Sequence, residues 1–405
     1  MVVVGLIKKG AYFDSVTLMT VGKALGTMDG VVDAAVVMGT RENKAILSTS
    51  GLLAREFEAA RDTDLLVAIR AESDEAAQAA LDATDERLKE ARSGGDADDT
   101  FHPASLSGAL KIVPDANLAL ISVAGRYAGR EAKRALESGL NVMLFSDNVA
   151  LETEVDLKAF AHATDLLVMG PDCGTAIING VPLAFANVVN RGEIGIVAAS
   201  GTGLQEVSSI ISNEGAGISQ AIGTGGRDVK EEVGGITFID GLRALAGDDA
   251  TRVIVLVSKP PDKAVLARIN EVAEGIDKPV VRIFLGASPS GPNDARTLEE
   301  AALKAVALWR EKDPREVNVT LDSRDAAIWD RTEELAGRCT DDQKYVRALM
   351  SGGTFAAEAQ VLFSDLMSGI SSNVPTAGAH RLSDPNMTAK NTVIDFGADE
   401  FTVGR

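Results

Sequence analysis

Two stretches of the sequence repeat one pattern of small, hydroxyl and acidic residues. One is "SGTGLQE" at 200–206 and the other is "GGTFAAE" at 352–358, and each follows an apolar run and precedes a helical pattern. In register, Ser200, Gly201, Thr202 and Glu206 correspond to Gly352, Gly353, Thr354 and Glu358. A helix N-terminus offers about four unpaired N–H groups and roughly half a positive charge, and glycine lets an anion approach the backbone closely. The pattern therefore predicts that two helix ends bind one phosphate group.

The predicted phosphate ligands are the first three residues of each stretch, which are Ser200, Gly201, Thr202, Gly352, Gly353 and Thr354. In this prediction the backbone supplies the positive potential and no lysine takes part. The alternative is that serine and threonine only cap their helices, while glycine only makes a tight strand-to-helix turn. The repetition in two matching contexts favours phosphate binding.

Four further residues are candidate ligands of an anionic substrate. Arg126, in "AGRYAGREA", can bind a carboxylate through two hydrogen bonds, but it is equally suited to be a solvated charge at a helix start. Arg227 and Asp228 follow the glycines of "GTGG" in a loop at the carboxyl side of a sheet, where ligands of open α/β folds bind. Cys173, in "GPDCG", lies in a similar loop, and the lack of a recognisable base beside it favours a structural role. No spacing of His, Cys, Asp and Glu predicts a metal site.

The elements that must position these residues alternate between strand and helix along nearly the whole chain, which predicts an α/β fold with parallel sheets. We predict a ferredoxin-like α+β unit first, then a Rossmann-like domain of CoA-binding type, a flavodoxin-like domain of succinyl-CoA synthetase type, and a further partial α/β domain. The predicted ranges are 1–92, 113–190, 191–312 and 344–405, with linkers at 93–112 and 313–343, of which the second has room for one helix. The last range holds too few strands for a whole sheet. We therefore expect either a truncated form of a longer protein or a sheet completed by another chain.

Composition excludes several classes of function. The chain has 405 residues and a formal net charge of −19, which argues against a nucleic-acid partner. It has no uncharged apolar run of about 18 residues and no secretory signal at its start, so we expect neither a membrane span nor export. Two cysteines in a chain of this length fit a reducing compartment, and we expect a cytoplasmic protein.

Three motifs give the sequence a specific resemblance. From about Asn117 to about Leu308 it resembles the α subunit of succinyl-CoA synthetase and the NDP-forming acyl-CoA synthetases. The matching stretches are "GPDCG", "GIVAASGTGLQE" and "AIGTGGRDVKEEVGGITFIDGL". With its ferredoxin-like start and its second turn unit, the whole chain resembles the FdrA family, a longer relative of these synthetases.

The resemblance implies that the helix after the "SGT" turn directs its N-terminus at phosphate and that a second helix faces it. It also implies a catalytic, orienting carboxylate at Glu206, with Glu358 as its counterpart. In the synthetases this carboxylate positions a histidine that is phosphorylated during turnover, in a Gly-His-Ala-Gly loop. This sequence has "ASPSGPNDART" at that place, and its histidines, His102, His162 and His380, lie elsewhere. The resemblance therefore implies acyl-phosphate chemistry without a phosphohistidine.

FdrA-family proteins are associated with purine and allantoin breakdown. The resemblance thus implies a subunit of an oxamate carbamoyltransferase, which converts oxalurate and phosphate to oxamate and carbamoyl phosphate. We expect phosphate and a small anionic substrate as ligands, no metal, and other subunits of a hetero-oligomeric complex as partners. Two alternatives stay open: an NDP-forming acyl-CoA synthetase and a non-catalytic anion-binding scaffold. Binding of CoA or a nucleotide also stays open, because no Gly-rich loop for the CoA diphosphate is recognisable.

Overall fold

The chain forms two compact units in a computed structural model that describes residues 1–11, 13, 15–93, 103 and 105–402. The first unit is Met1–His102 with Asp399–Arg405, and the second is Pro103–Ala398. The predicted linker at 93–112 lies largely outside the described residues.

The first unit is built on a three-stranded antiparallel sheet in the order β1-β3-β2. Its elements are β1 (Val2–Lys8), α1 (Ser15–Gly26), β2 (Val31–Met38), α2 (Arg41–Thr49), a 3-10 helix (Arg55–Ala59), β3 (Leu65–Ala71) and α3 (Asp74–Ser93). The central strand β3 reads "LLVAIRA" and is almost wholly buried. Because β3 runs antiparallel to both neighbours, β1 and β2 are parallel and α1 connects them across the sheet. This arrangement confirms the predicted ferredoxin-like unit.

The second unit begins with a three-stranded parallel sheet in the order β4-β5-β6. Its elements are α4 (Leu106–Ile112), β4 (Leu118–Ile121), α5 (Gly125–Glu137), β5 (Asn141–Leu144), α6 (Leu151–Ala163) and β6 (Val168–Met169). Strands followed by helices on this plan are Rossmann-like, as predicted.

A seven-stranded sheet forms the largest part of the second unit. Its elements are β7 (Thr175–Ile178), β8 (Val181–Ala184), β9 (Arg191–Ala198), α7 (Gly201–Asn213), β10 (Ile218–Gly223), α8 (Ile236–Gly247), β11 (Val253–Ser258), α9 (Lys263–Glu274), β12 (Val280–Phe284), β13 (Asp294–Ala295) and α10 (Leu298–Trp309). The strand order is β13-β12-β11-β9-β10-β7-β8. From β9 to β13 the strands are parallel and follow the flavodoxin-like order. The antiparallel hairpin of β7 and β8 extends the sheet beyond β10.

Helices cover both faces of this sheet, so its central strands are buried on both sides, as parallel sheets require. On one face α7 and α10 pack against side chains such as Ile194, Ile196 and Val255. On the other face α8 and α9 pack against Val197, Ile254 and Leu256. The carboxyl ends of β9 and β11 therefore hold their following loops on a rigid edge.

The range predicted as the second linker, 313–343, is mainly a helix, α11 (Arg315–Ala336). One helix was expected at most in this segment, and it occupies most of the range. Its 22 residues contain no proline and no glycine, so nothing in them interrupts a helix.

The chain then forms a four-stranded parallel sheet in the order β14-β17-β15-β16. Its elements are β14 (Arg347–Met350), α12 (Gly353–Leu366), β15 (Ile370–Ser372), β16 (His380–Arg381) and β17 (Asn391–Asp395), and α13 (Asp399–Thr402) follows with the first unit. The two short strands β15 and β16 were missed from the sequence because three and two residues carry no alternation. Within the described residues, no helix is both long and apolar enough for a membrane span.

Candidate functional site

The N-terminus of α7 follows β9 after a single tight turn. Ser200 is the N-cap in an extended conformation, and its Oγ accepts a hydrogen bond from the backbone N–H of Gly203 at 2.9 Å. A Cβ placed on Gly201 would meet nothing within 4 Å. The first residue of α7 therefore borders open space, as an anion site at a helix end requires.

The N-terminus of α12 follows β14 in the same way, but its cap differs. Gly352 has no side chain to cap the helix, and the carboxylate of Asp395, at the end of β17, binds the backbone N–H of Gly352 itself. Asp395 Oδ1 accepts hydrogen bonds from the N–H groups of Gly352 at 3.3 Å and Gly397 at 2.8 Å. Part of the donor capacity of this helix end is thus already used by a buried carboxylate.

The two helix ends meet. The hydroxyl groups of Ser200 and Thr354 form a hydrogen bond with each other. A Cβ on Gly352 would lie 3.1 Å from the methyl carbon of Thr202, so the glycine permits this close approach. The structure therefore brings the six predicted phosphate ligands to one place, although they are about 150 residues apart in the chain.

A lysine that sequence reasoning missed stands beside these helix ends. A Cβ on Gly353 would lie 2.6 Å from Lys259 Nζ and 2.9 Å from Asp395 Oδ2. Lys259 follows β11 directly, so it lies at the same sheet edge as the turn after β9. Desolvation lowers the pKa of Lys259, while Asp395 opposes this effect. The signal in the sequence was the lysine of "SKPP" at a strand end, and it was overlooked because the prediction assigned the charge to backbone donors alone.

Glu206 and Glu358 lie on the second turns of α7 and α12 and line a common groove. The groove, hereafter the α11 groove, has a volume of about 1100 Å³ and lies among α7, α10, α11 and α12. Glu358 Oε1 accepts a hydrogen bond from the N–H of Leu298, the first residue of α10, at 2.7 Å. Burial raises the pKa of Glu358, the Leu298 N–H group opposes this, and the nearby charge of Glu206 adds to the increase. The two predicted catalytic carboxylates are therefore neighbours.

The pKa of Glu358 leads to a prediction about stability. Because this carboxyl group holds its proton more tightly when folded, the free energy of unfolding should fall as the pH rises from its ordinary value of 4.5 through the raised value. Glu358→Gln lacks this titration, so the variant should gain stability relative to wild type over the same range. Urea unfolding between pH 4 and 8, followed by tryptophan fluorescence, measures the difference.

Asp313→Asn serves as a control of opposite sign, since Arg315 lowers the pKa of Asp313. That variant should be less stable than wild type by a nearly constant amount between pH 4 and 8, and the difference should shrink only as the pH falls below 3.8, through the lowered pKa of Asp313. A difference between Glu358→Gln and wild type that does not change with pH would contradict the assignment.

Asp228 and Arg227 belong to a buried ion network. Asp228 is fully buried, and its carboxylate accepts hydrogen bonds from Lys158 Nζ at 2.8 Å and from the N–H groups of Thr237 and Phe238 at the start of α8. Arg227 Nε lies 2.8 Å from Glu154 Oε2, and its Nη2 donates to the Val149 carbonyl. These contacts give Asp228 a structural role in place of the predicted substrate contact, because its carboxylate is enclosed by protein donors.

The contacts of Cys173 and Arg126 are with residues other than those at the N-termini of α7 and α12. Cys173 is 2% exposed, and burial raises the pKa of its thiol to about 12, which disfavours a thiolate nucleophile at neutral pH. Arg126 is exposed in the first turn of α5, and its guanidinium stacks over the Tyr127 ring at 4.8 Å. Of the two predictions, the structural reading of Cys173 fits its burial, and the anion role of Arg126 stays a prediction.

The loop that would carry a phosphohistidine by resemblance is held by an aspartate. Asp294 Oδ2 accepts hydrogen bonds from the Ser290 N–H at 2.8 Å, the Ser290 hydroxyl at 2.6 Å and the Gly291 N–H at 2.9 Å. Of the described histidines, His162 Nδ1 is hydrogen-bonded to Asp240, and His380 lies exposed on β16. His102 lies outside the described residues.

Two family models match the chain. One, described as "AllF, heavy metal-associated domain", covers residues 1–103, and the other, described as "CoA binding domain", covers 189–286. The first range coincides with the ferredoxin-like unit. The second runs from β9 to β12 and contains the turn at Ser200.

A relative that matches nearly the whole of this chain decides the family. The uncharacterized protein YahF of Escherichia coli K12 is 42% identical over 405 residues, which cover 99% of this chain and 77% of YahF. The chain belongs to the YahF family. This family is AllF- and FdrA-like and is related to the α subunit of succinyl-CoA synthetase, as the sequence indicated.

More distant relatives match parts of the chain. The α subunit of ADP-forming succinate–CoA ligase from Staphylococcus epidermidis is 25% identical over 181 residues, which span 44% of this chain and 58% of that subunit. Among solved structures, PH0766 from Pyrococcus horikoshii OT3 has a TM-score of 0.41 and 19% identity, over 52% of this chain and 50% of its own.

The name of the first family model raises the question of a heavy metal ion. Residues 1–103 contain no cysteine, and their single histidine is His102. Soft heavy metal ions are bound mainly by thiolates. In the part of the chain that the structure describes, no three His, Cys, Asp or Glu residues are grouped to hold a metal ion. The residues of this unit therefore do not fit a thiolate-bound metal.

Proposed function

We propose that the protein binds phosphate between the N-termini of α7 and α12 and uses it to make or break an acyl phosphate. The observation that carries this proposal is the hydrogen bond between Ser200 and Thr354, which joins the two helix ends beside open space at Gly201. Fixed backbone donors suit the transfer of a phosphorylated group, because such catalysis consists mainly of positioning and charge stabilisation.

The reaction that we propose is that of an oxamate carbamoyltransferase subunit. A phosphate oxygen attacks the carbamoyl carbon of oxalurate, the bond from that carbon to the oxamate nitrogen breaks, and the nitrogen takes a proton and leaves in oxamate. The raised pKa of Glu358 makes it the candidate proton donor. The fixed loop at Asp294, which has no histidine, favours this direct route over a phosphohistidine relay.

A second candidate is an NDP-forming acyl-CoA synthetase, and the match to the CoA-binding family model favours it. The N-terminus of α5 offers a place for the CoA diphosphate, since Ala124 cannot cap it with a side chain and Arg126 is exposed in its first turn. A Cβ on Gly125 would lie 2.2 Å from the Asp147 carbonyl oxygen, so this strand-to-helix turn requires glycine. The CoA-binding match covers residues 189–286 and not α5, so this place for the diphosphate is an additional part of the second candidate, in which CoA would supply the thiol that accepts the acyl group.

The experiment is an assay of phosphate-dependent carbamoyl phosphate formation from oxalurate, with the protein alone and with the products of neighbouring genes. Gly201→Leu fills the open space of the proposed phosphate site, Gly353→Leu displaces the Lys259 ammonium beside it, and we expect each to lower the rate at least about 100-fold. Gly247→Leu is the control, because a Cβ at this helix residue also meets nothing within 4 Å but lies at the end of α8.

Each result has a definite meaning. Activity lost in both site variants and kept in the control supports the carbamoyltransferase. Turnover of a carboxylic acid that requires ATP and CoA identifies a synthetase and overturns it. Phosphate binding by calorimetry without turnover in any mixture identifies the anion-binding scaffold.

A further inference from the structure

Most of the surface of α11 is exposed to solvent. None of its 22 residues is buried, and from Asp322 to Ala336 every residue is exposed. Its exposed apolar residues include Ile328 at 53%, Trp329 at 56% and Leu335 at 44%. Most of the stability of a helix in a protein comes from packing of its apolar face. The helix therefore has an apolar face that a partner would stabilise.

The apolar residues of α11 form one stripe. Leu321, Ile328 and Leu335 are seven residues apart, which places them on one face of the helix. Leu321, Ile328 and Trp329 form one wall of the α11 groove. The other wall is α12, where Leu362 is 40% and Leu366 is 59% exposed. The groove thus has two exposed apolar walls.

The groove also carries an excess of carboxylates. Those that line it are Glu206, Glu299, Glu300, Asp322, Asp325, Glu358 and Asp365. Its two guanidinium groups are already paired, Arg324 with Glu299 at 2.6 Å and Arg296 with Asp365. Among the described residues, Glu206, Asp322 and Glu358 form no ion pair. Complementary charge would therefore come from cations that this chain does not supply.

We propose that the α11 groove docks a basic amphipathic helix of a partner subunit. Apolar side chains of that helix would pack against Leu321 and Ile328, and its cationic side chains would bind the carboxylates that form no ion pair. Helices bind in grooves of this kind through apolar side chains at helical spacing. A second copy of this chain is disfavoured, since each copy carries a net charge of −19. The docked helix would place a cation beside Glu206 and Glu358.

The test uses the full chain and a labelled peptide of leucine and lysine, about five helical turns long, with its leucines on one face. Fluorescence anisotropy measures the dissociation constant. We expect Ile328→Asp to weaken binding at least about tenfold, because it places a charge in the apolar stripe. Val319→Asp adds the same charge to an exposed apolar residue of α11 that does not line the groove, and binding should stay within about twofold.

The two variants separate docking from mere charge attraction. If the peptide binds only through attraction to negative charge, Ile328→Asp will bind it as tightly as wild type or more tightly. That result overturns the proposal. Equal binding of a leucine and glutamate peptide, or no binding of the lysine peptide, also overturns it. A wild-type dimer that Ile328→Asp converts to monomer in sedimentation analysis identifies a second copy as the occupant and overturns the proposal too. None of these results depends on carbamoyl phosphate formation.

Discussion

Lys158→Met is expected to destabilise the second unit by about 3–5 kcal/mol. Lys158 is 1% exposed, and its Nζ donates to Glu154 at 2.9 Å, Asp228 at 2.8 Å and the Thr224 carbonyl at 2.9 Å. Methionine keeps most of the volume of the side chain but leaves two buried carboxylates without their shared cation. The loss also loosens the cap of α8, since Asp228 accepts from the N–H groups of Thr237 and Phe238.

Urea unfolding followed by tryptophan fluorescence measures this effect, because both tryptophans, Trp309 and Trp329, lie in the second unit. Lys263→Met, at an exposed lysine in the first turn of α9, should change the free energy of unfolding by less than about 0.5 kcal/mol. Adding Glu154→Gln to Lys158→Met should restore part of the loss, since it removes one of the unpaired charges. A loss below about 1 kcal/mol for Lys158→Met would show that the network is not a stabilising unit.

This network also shows where sequence reasoning reached its limit. The placement of Arg227 and Asp228 after a strand at the carboxyl edge of a sheet pointed to substrate, which is a general tendency of open α/β folds. Their partners Glu154 and Lys158 come from α6, about 70 residues earlier. The sequence of one loop does not show that a lysine on a distant helix will contact it. A structural ion network and a ligand site therefore have the same sequence pattern.

The fold was predictable because its signals are local. Apolar strands that alternate with helices and short turns indicate parallel sheets without any knowledge of distant contacts. The strand order from β9 to β13 agrees with that alternation. The length of the helix at 315–336 was not predicted, because its few apolar residues stand among many charged ones. The groove that its exposed face forms with α12 depends on contacts between distant parts of the chain.

The candidate site was predictable in its backbone and not in its charges. Repetition of one turn located Ser200 and Thr354, and the structure joins them. Lys259 directly follows β11, and Asp395 is the last residue of β17. Single residues at strand ends carry no repeated signal in the sequence. Their meeting at Gly353 depends on the pairing of two sheets, which the sequence does not encode locally.

Replacing Lys259 should cost at least as much activity as filling the site at Gly201. An ammonium group beside the positive end of α12 is unfavourable by itself, and Asp395 compensates for it only in part, because its attraction is smaller than the cost of desolvating the lysine. A bound phosphate would supply the missing negative charge. We therefore expect Lys259→Met to lower kcat/KM for phosphate about 10²–10³-fold, with the fold retained.

Two further measurements distinguish this role from a structural one. Desolvation lowers the pKa of Lys259, so wild-type kcat/KM for phosphate should decline as the pH rises through that lowered value, and the decline should vanish in Lys259→Met. Gly353→Ala should act through the same group, because its Cβ would displace the lysine Nζ that lies 2.6 Å away. The double variant should then be little worse than either single one. Independent losses that multiply, or a pH profile that is unchanged in Lys259→Met, would show that the ammonium group does not face the phosphate.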